Sequence, residues 1–264
     1  MKRWGLRFLP NINARARRLT QLCNQFSLLP PTIMLRITPR SLALLAGWSI
    51  VLMALLAGFA HGYVFSSLFV PGNAPVTVHQ LRLSETLFRA GILAFWVVLL
   101  CDVVVSGALY LFLKPVHQRL ALWSSGLRLV YTAMLGAALM HLTAIVPLLH
   151  AQTPTAEVPG EPILRLFGQF SLGWSAGLIV FGAHLLALGV LVYRARFVPP
   201  VWGWLLGLAG ICYLSTNVAN LLWDDYPTHK ATVEGILSLP MIVGELGFGI
   251  WLLVRGGKPK PTQA

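Results

Sequence analysis

Six stretches of this 264-residue chain, at 41–65, 88–113, 120–149, 166–193, 201–223 and 236–254, are apolar throughout. Each is longer than the ~18 residues that let a helix cross a hydrocarbon core. A backbone in lipid has to satisfy its own N–H and C=O groups, so runs of this kind are helices rather than strands. Composition agrees: 56% of residues are hydrophobic, 11% are charged and mean hydropathy is +0.72. Too few polar residues remain to clothe a water-soluble domain of this size. The expected fold class is all-α: a polytopic integral membrane protein with a six-transmembrane-helix bundle over residues 41–255. A basic, disordered N-terminal segment (1–40) precedes it and a short tail (256–264) follows.

The formal charge of +12 invites a nucleic-acid reading, but its distribution points to a membrane. Residues 1–40 hold eight Lys or Arg and no acid. Lys114, Arg119, Arg194, Arg196, Arg255, Lys258 and Lys260 fall on the same side, which brings fifteen of the twenty basic residues there. Arg82, Arg89, Arg165 and Lys230 fall on the other, with Glu85, Glu157, Glu161, Asp224, Asp225 and Glu234. The positive-inside rule then puts both termini in the cytoplasm, N-in and C-in, in a bacterial inner membrane. No basic, aromatic-interleaved motif for nucleic acid appears. The first 40 residues show no continuous apolar core and no small-residue cleavage site, which argues against a signal peptide. Residues 15–18 offer three arginines to anionic headgroups, and Met34 is an alternative start.

Between the first two runs, Val70-Pro71-Gly72-Asn73 has turn chemistry. Thr77-Val78-His79-Gln80 matches a capping box and predicts a helix starting there and continuing into the second span. The loop at 152–162 is rich in Pro and Thr. Gly173-x-x-x-Gly177, Gly203-x-x-x-Gly207 and the seven-residue recurrence of Ser175, Gly182 and Gly189 are small-residue stripes for close helix packing. They serve packing within the chain or, alternatively, a homo-oligomer. No internal repeat of the inverted-transporter kind is visible. Trp202, Trp204, Trp223 and Tyr193 mark helix ends, as an aromatic belt does.

Of the ionisable residues within the greasy runs, four lie deep: Asp102, Arg128, His184 and Glu245. Counted from the correct side of each span, all four fall in one layer near the middle of the bundle. A lone charge at a helix centre costs roughly 2.5–3.5 kcal/mol, so these groups should face inward and meet. Asp102 is tolerated there because Arg128 neutralises it; one cation and two carboxylates leave one negative charge over, to be balanced by a proton, a protonated His184 or a bound cation. A second polar layer lies nearer the far face. Asn217, Asn220 and Asp224 share one stripe of the fifth helix. His61 and Gln169 lie at similar depth, and the five residues together suggest a cavity open to that side. His141 lies about 140° around its helix from Arg128 and faces another neighbour.

Other chemistry is thin. Cys23, Cys101 and Cys212 are far apart, without metal or disulfide spacing. No HExxH or HxxxH pair places two metal ligands on one helix face, so neither metal nor cofactor is expected. There is no P-loop, GxSxG or dinucleotide fingerprint.

Several short motifs in order complete the sequence evidence. Val70-Pro71-Gly72, Ser84-Glu85-Thr86-Leu87-Phe88-Arg89, Cys101-Asp102-Val103 and Leu113-Lys114-Pro115-Val116 come first. Phe181-Gly182-Ala183-His184, Gly189-Val190-Leu191-Val192-Tyr193 and Gly244-Glu245 with Trp251-Leu252-Leu253 follow. In this order and spacing the chain, from about residue 38 to 256, resembles the bacterial membrane family catalogued as domain of unknown function 4386. The resemblance implies a six-span inner-membrane protein and carries no catalytic residues. The chain departs from it after Pro199, where the family pattern has a basic residue and Pro200 stands here. The expectation is an integral membrane protein in contact with the lipid bilayer that handles a small solute or protons at its buried cluster. The alternative is a membrane-embedded enzyme, metal-dependent or not, acting on lipid or another apolar substrate.

Overall fold

A computed structural model describes residues 38–150 and 160–258. The basic segment with its residue 15–18 cluster, Met34 and Cys23, most of the 152–162 loop and the end of the tail lie outside the described residues. Within them all regular structure is helical. Six helices are long and apolar enough to cross a membrane.

Helix α1 spans Pro39–Leu68. Thr38 caps it, accepting from the Ser41 N–H at 3.1 Å, and Pro39 fills the first position, where no N–H is needed. Its second half, Gly58–Phe65, widens into π-helical turns. Gly58 and Gly62 have no neighbour within 4 Å of where a Cβ would sit. The wider turns re-aim the residues around His61.

Val70 to Asn73 form a tight turn closed by Asn73 N–H to Val70 O, with Gly72 at φ +72°, a conformation glycine adopts freely. A short helix α2, Ala74–Leu83, follows. The expected capping box is not used. Asn73 caps the helix by accepting from Val76 N–H, while Thr77 lies inside it, buried, with its hydroxyl bonded to the Val70 backbone. Asn73 sits two residues before Pro75, whose ring suits the first helical turn, and so the start moves upstream. Nor does α2 run on into the second span. Ser84 breaks the helix at φ −126°, and α3, Glu85–Leu113, begins afresh.

Helices α4 (Gln118–Leu149), α5 (Gly160–Arg194), α6 (Pro200–Leu222) and α7 (Tyr226–Val254) complete the bundle. Most begin or end outside the apolar runs, because a helix continues beyond the hydrocarbon wherever its backbone bonds can still be made. The contacts run α1–α3–α4–α5–α6–α7, and α7 returns to α1. The six spans therefore form a closed ring, with short connections between sequence neighbours.

Glycines set how closely the ring is drawn. A Cβ on Gly189 would lie 2.8 Å from the Gly203 carbonyl oxygen of α6, and one on Gly182 2.9 Å from that of Gly210. The seven-residue stripe is thus the α5–α6 seam. Gly173 and Gly177 face Ala138 and Tyr131 of α4. Gly47 meets Gly249 and Leu253 where α1 and α7 close the ring. There the Arg40 guanidinium donates to the last carbonyls of α7, at Leu252, Leu253 and Gly256. These are the carbonyls a helix C-terminus leaves without intrahelical partners.

Thr38 and Lys258 therefore share one face, called here the terminal face. The halves of the ring differ. Toward the terminal face the interior is packed with aliphatic and aromatic side chains from every span, Ala43, Leu113, Ala121, Leu191, Leu206 and Leu252 among them. Toward the opposite face an aromatic group joins α1, α3 and α5: Phe65 stacks on Phe95 at 5.7 Å, and Trp174 meets Phe95 edge-on at 5.4 Å. Helix α7 takes no part in it. From Thr228 to Val243 no residue of α7 is buried.

Candidate functional site

The ionisable residues of four different spans meet on the terminal-face side of the bundle's middle. Asp102 precedes the end of α3 by eleven residues, His184 the end of α5 by ten and Glu245 the end of α7 by nine; Arg128 follows the start of α4 by ten. At 1.5 Å per residue all four lie about 14–17 Å from the terminal face.

Arg128 is the hub. Its Nη2 lies 2.6 Å from Asp102 Oδ1, with the two side chains 3% and 0% exposed. An ion pair this deep is not diluted by solvent, and removing either partner would strand the other. Nη1 donates to His184 Nε2 at 3.3 Å, and the guanidinium carbon lies 5.2 Å from the centre of the Phe181 ring. Nη2 also approaches the Met53 sulfur at 3.5 Å. The histidine's tautomer follows from its partners. Nδ1–H donates to the Ser124 carbonyl at 2.8 Å, with the Ser124 hydroxyl at 3.1 Å, which leaves Nε2 as the acceptor facing Arg128. His184 thus holds the guanidinium in place from one side and Asp102 holds it from another.

The pairing is incomplete. Asp102 Oδ2 and Arg128 Nε–H have no hydrogen-bond partner among the described residues, and the single close contact is not aligned as a hydrogen bond. Buried groups left in that state usually mark a place where water or a ligand sits.

Glu245 does not touch Asp102. It meets Arg128 across a small pocket at the centre of the ring. Ile50, Leu109, Arg128, Leu188, Leu206 and Glu245 supply one wall residue from each span. The pocket has room for about one water molecule. Glu245 is only partly buried, unlike Asp102, and Tyr213 of α6 stands beside it.

The second polar layer divides. Ser175 Oγ of α5 donates to Asn217 Oδ1 at 2.8 Å and accepts from Asn220 Nδ2 at 3.0 Å. Asn217 Nδ2 in turn donates to the Tyr213 carbonyl at 2.9 Å. This network ties α5 to α6. Asp224 does not share the stripe: α6 ends at Leu222, Trp223 is extended, and Asp224 lies exposed in the turn beyond. His61 is exposed and packs against the edge of Trp174, 4.6 Å between ring centres. Gln169 is exposed too, on the face of α5 shared with Arg165 and Leu172, and makes no hydrogen bond to the described residues in this layer. His141 approaches its own helix, the Ala138 carbonyl, at 3.3 Å. Among the described residues no three His, Cys, Asp or Glu side chains converge as a metal would require.

Ser124 and Tyr213 are absent from the sequence reading, which has Phe181 only within a motif and Ser175 only as a packing residue. Two of them had a signal. Tyr213 lies four residues before Asn217 on the same stripe of α6, and Phe181 lies three before His184 on α5. Ser124 and Ser175 had none, because each acquires its role only from a residue on a neighbouring helix.

Comparison with known proteins adds a family but no reaction. Residues 45–256 match the model of a family described as "Domain of unknown function (DUF4386)". A relative from Archaeoglobus fulgidus is 28% identical over 181 residues, covering 69% of this chain and 91% of its own length; it carries the name "Uncharacterized protein". No solved structure matches the chain. The family match covers most of the sequence, and the chain belongs to this family.

Proposed function

We propose that this DUF4386 member is an integral membrane protein that takes up and releases protons at Glu245, with both termini in the cytoplasm. The observation that carries the reading is the pocket: Glu245 and Arg128 face each other across a water-sized space at the centre of a closed six-helix ring.

The argument is one of charge and size. Arg128 is already engaged by Asp102 at 2.6 Å. A second carboxylate beside that neutral pair carries an unbalanced charge in a low-dielectric interior, at a cost of several kcal/mol. A proton on Glu245 removes the charge. The pocket leaves no room for a solute much larger than water, which favours a proton over a metabolite as the exchanged species. Glu245 is the better exchanger of the two acids, since it is partly exposed in the pocket while Asp102 is sealed. His184 and Asp102 act as positioning groups that hold the guanidinium opposite the exchanging carboxyl. The bias of basic residues toward the terminal face supports its assignment to the cytoplasm.

A hydrophobic carbodiimide tests this. It adds to a protonated carboxyl buried in an apolar setting: the acid proton moves to a carbodiimide nitrogen and the carboxylate oxygen bonds to its carbon. The adduct then rearranges to a stable N-acylurea that peptide mass spectrometry detects. The expected result is labelling of Glu245 but not Asp102, declining as the pH is raised and absent in Glu245→Gln. An unlabelled Glu245 at every pH would end the reading.

A further inference from the structure

Resting on that reading, we infer that Glu245 exchanges protons with one side of the membrane only, the face opposite the termini, along the polar stripe of α6. The route is Asn220, Ser175, Asn217 and Tyr213, ending at Glu245. Its outer members are in hydrogen-bond contact: Asn220 to Ser175 at 3.0 Å and Ser175 to Asn217 at 2.8 Å; Asn217 then meets Tyr213 at its backbone carbonyl, at 2.9 Å. Thr216 lies beside them, 3.3 Å from Asn217 Nδ2. Ser175, Asn217 and Thr216 are buried, whereas Asn220 is partly exposed one turn before the end of α6. From Asn220 to Tyr213 the stripe covers about 10 Å of helix.

A buried row of amides and hydroxyls is a costly thing to place inside an apolar bundle if its only task is packing. Helices α5 and α6 already hold together through Gly182, Gly189, Gly203 and Gly210, so the seam does not need the row. At its inner end Tyr213 stands beside the carboxyl. Ser175, Thr216 and Tyr213 are hydroxyls, able to accept and donate at once, and the two asparagines can orient water between them.

The two faces of the bundle are not equivalent around it. On the stripe side α7 is packed less deeply: from Thr228 to Val243 it has half-buried residues but no fully buried one. Below Glu245 the ring is shut. Leu109, Leu188, Leu206, Phe248 and Leu252 are all at most 3% exposed, and Gly47 and Gly249 bring the α1 and α7 backbones together. Three buried hydroxyls do lie on that side, but Ser106 and Ser125 donate to each other's backbone carbonyls, at 3.0 and 3.1 Å, and Ser124 lies against His184 at 3.1 Å, so they tie helices together and are bonded neither to Glu245 nor to Tyr213.

The groups that bear on Glu245 come from every neighbouring element. They are Arg128 and Tyr131 of α4, Asp102 of α3 and Tyr213 of α6, with His184 of α5 acting through Arg128. Helix α1 presents Ile50 to the pocket and Met53 to Arg128, and no charge there.

The experiment uses the full chain in sealed vesicles of uniform orientation, with the pH set separately on each side and brief carbodiimide exposure read at Glu245. Labelling should follow the pH of the compartment at the opposite face and ignore that at the terminal face. In Asn217→Leu the response to a pH jump should slow on the order of tenfold, as losing one hydrogen-bonding link in a transfer path does. Ser175→Ala, a smaller change at a buried site, should slow it in the same direction. Labelling that follows the terminal-face pH overturns the inference, as does an unchanged rate in both variants. Absence of label under all conditions instead sinks the Glu245 reading on which this one stands.

Discussion

Asp102 sits among Val97, Val98, Leu99, Leu100, Val103, Val104 and Val105, a setting that tolerates a carboxylate only with a partner. Arg128 is that partner, at 2.6 Å. Removing one member leaves the other buried and unpaired, so Asp102→Asn and Arg128→Gln should each destabilise the protein by about 3–5 kcal/mol. The double variant should lose less than the sum, because the second change no longer strands a charge. Thermal unfolding of the four proteins in detergent measures this. Strictly additive losses would show that the two side chains do not interact. His184 offers a related contrast. Its Nδ1 donates to the Ser124 carbonyl while Nε2 accepts from Arg128, a division of roles that asparagine cannot copy at both ends.

Among elements, the α5–α6 seam is the tightest, and glycine is the reason. Where a Cβ would stand on Gly189 there is α6 backbone, at 2.8 Å from the Gly203 carbonyl oxygen and 2.9 Å from the Gly207 nitrogen. Neither atom can rotate away as a side-chain tip would. Gly189→Ala should therefore cost about 1–3 kcal/mol through overpacking. Gly207 shares the seam, yet its own Cβ would meet nothing within 4 Å. Gly207→Ala should be neutral or stabilising by up to ~1 kcal/mol, since alanine is the better helix residue. Unfolding temperatures of the pair check the contrast, and equal losses would mean that the helices are not seated as described. The small-residue stripes read in the sequence thus have neighbours within the chain: Gly173 and Gly177 on α4, Gly182 and Gly189 on α6. The π-helical turns of α1 belong to this scale too, as do the separate caps of α2 and α3, because each re-aims a segment that hydropathy alone treats as continuous.

For the whole molecule, ring closure matters most. Helix α7 returns to α1 at the terminal face through Gly47, Gly249 and the Arg40 donors on the α7 carbonyls, while from Thr228 to Val243 none of its residues is fully buried. A bundle closed at one end and loose at the other gives its central pocket two unequal surroundings. It also puts Thr38 and Lys258 on one face, and the basic residues of the connections lie there with them. Reporters fused to the two ends should therefore signal from the same compartment, the cytoplasm. A reporter inserted between Leu149 and Gly160 should signal from the other side. Opposite signals from the two termini would break the six-span topology.

Much of the architecture is legible without coordinates. Apolar runs of sufficient length, with a backbone that must bond to itself in lipid, dictate helices and their number. Side-chain charge at depth dictates that Asp102, Arg128, His184 and Glu245 need company. Both follow from the solvent, which acts on each residue by its own chemistry. As the one cation in the layer, Arg128 is already legible as the partner of Asp102, and the ion pair at 2.6 Å agrees. The sequence cannot say how the other groups are placed, since helical periodicity orders residues along one helix and is silent about rotation against the next. Only the packed ring leaves Glu245 across a water-sized gap, and turns Gln169 outward while Ser175 reaches Asn217. The rotation of each helix is decided by where glycines let backbones touch, a property of surfaces in contact rather than of any single segment.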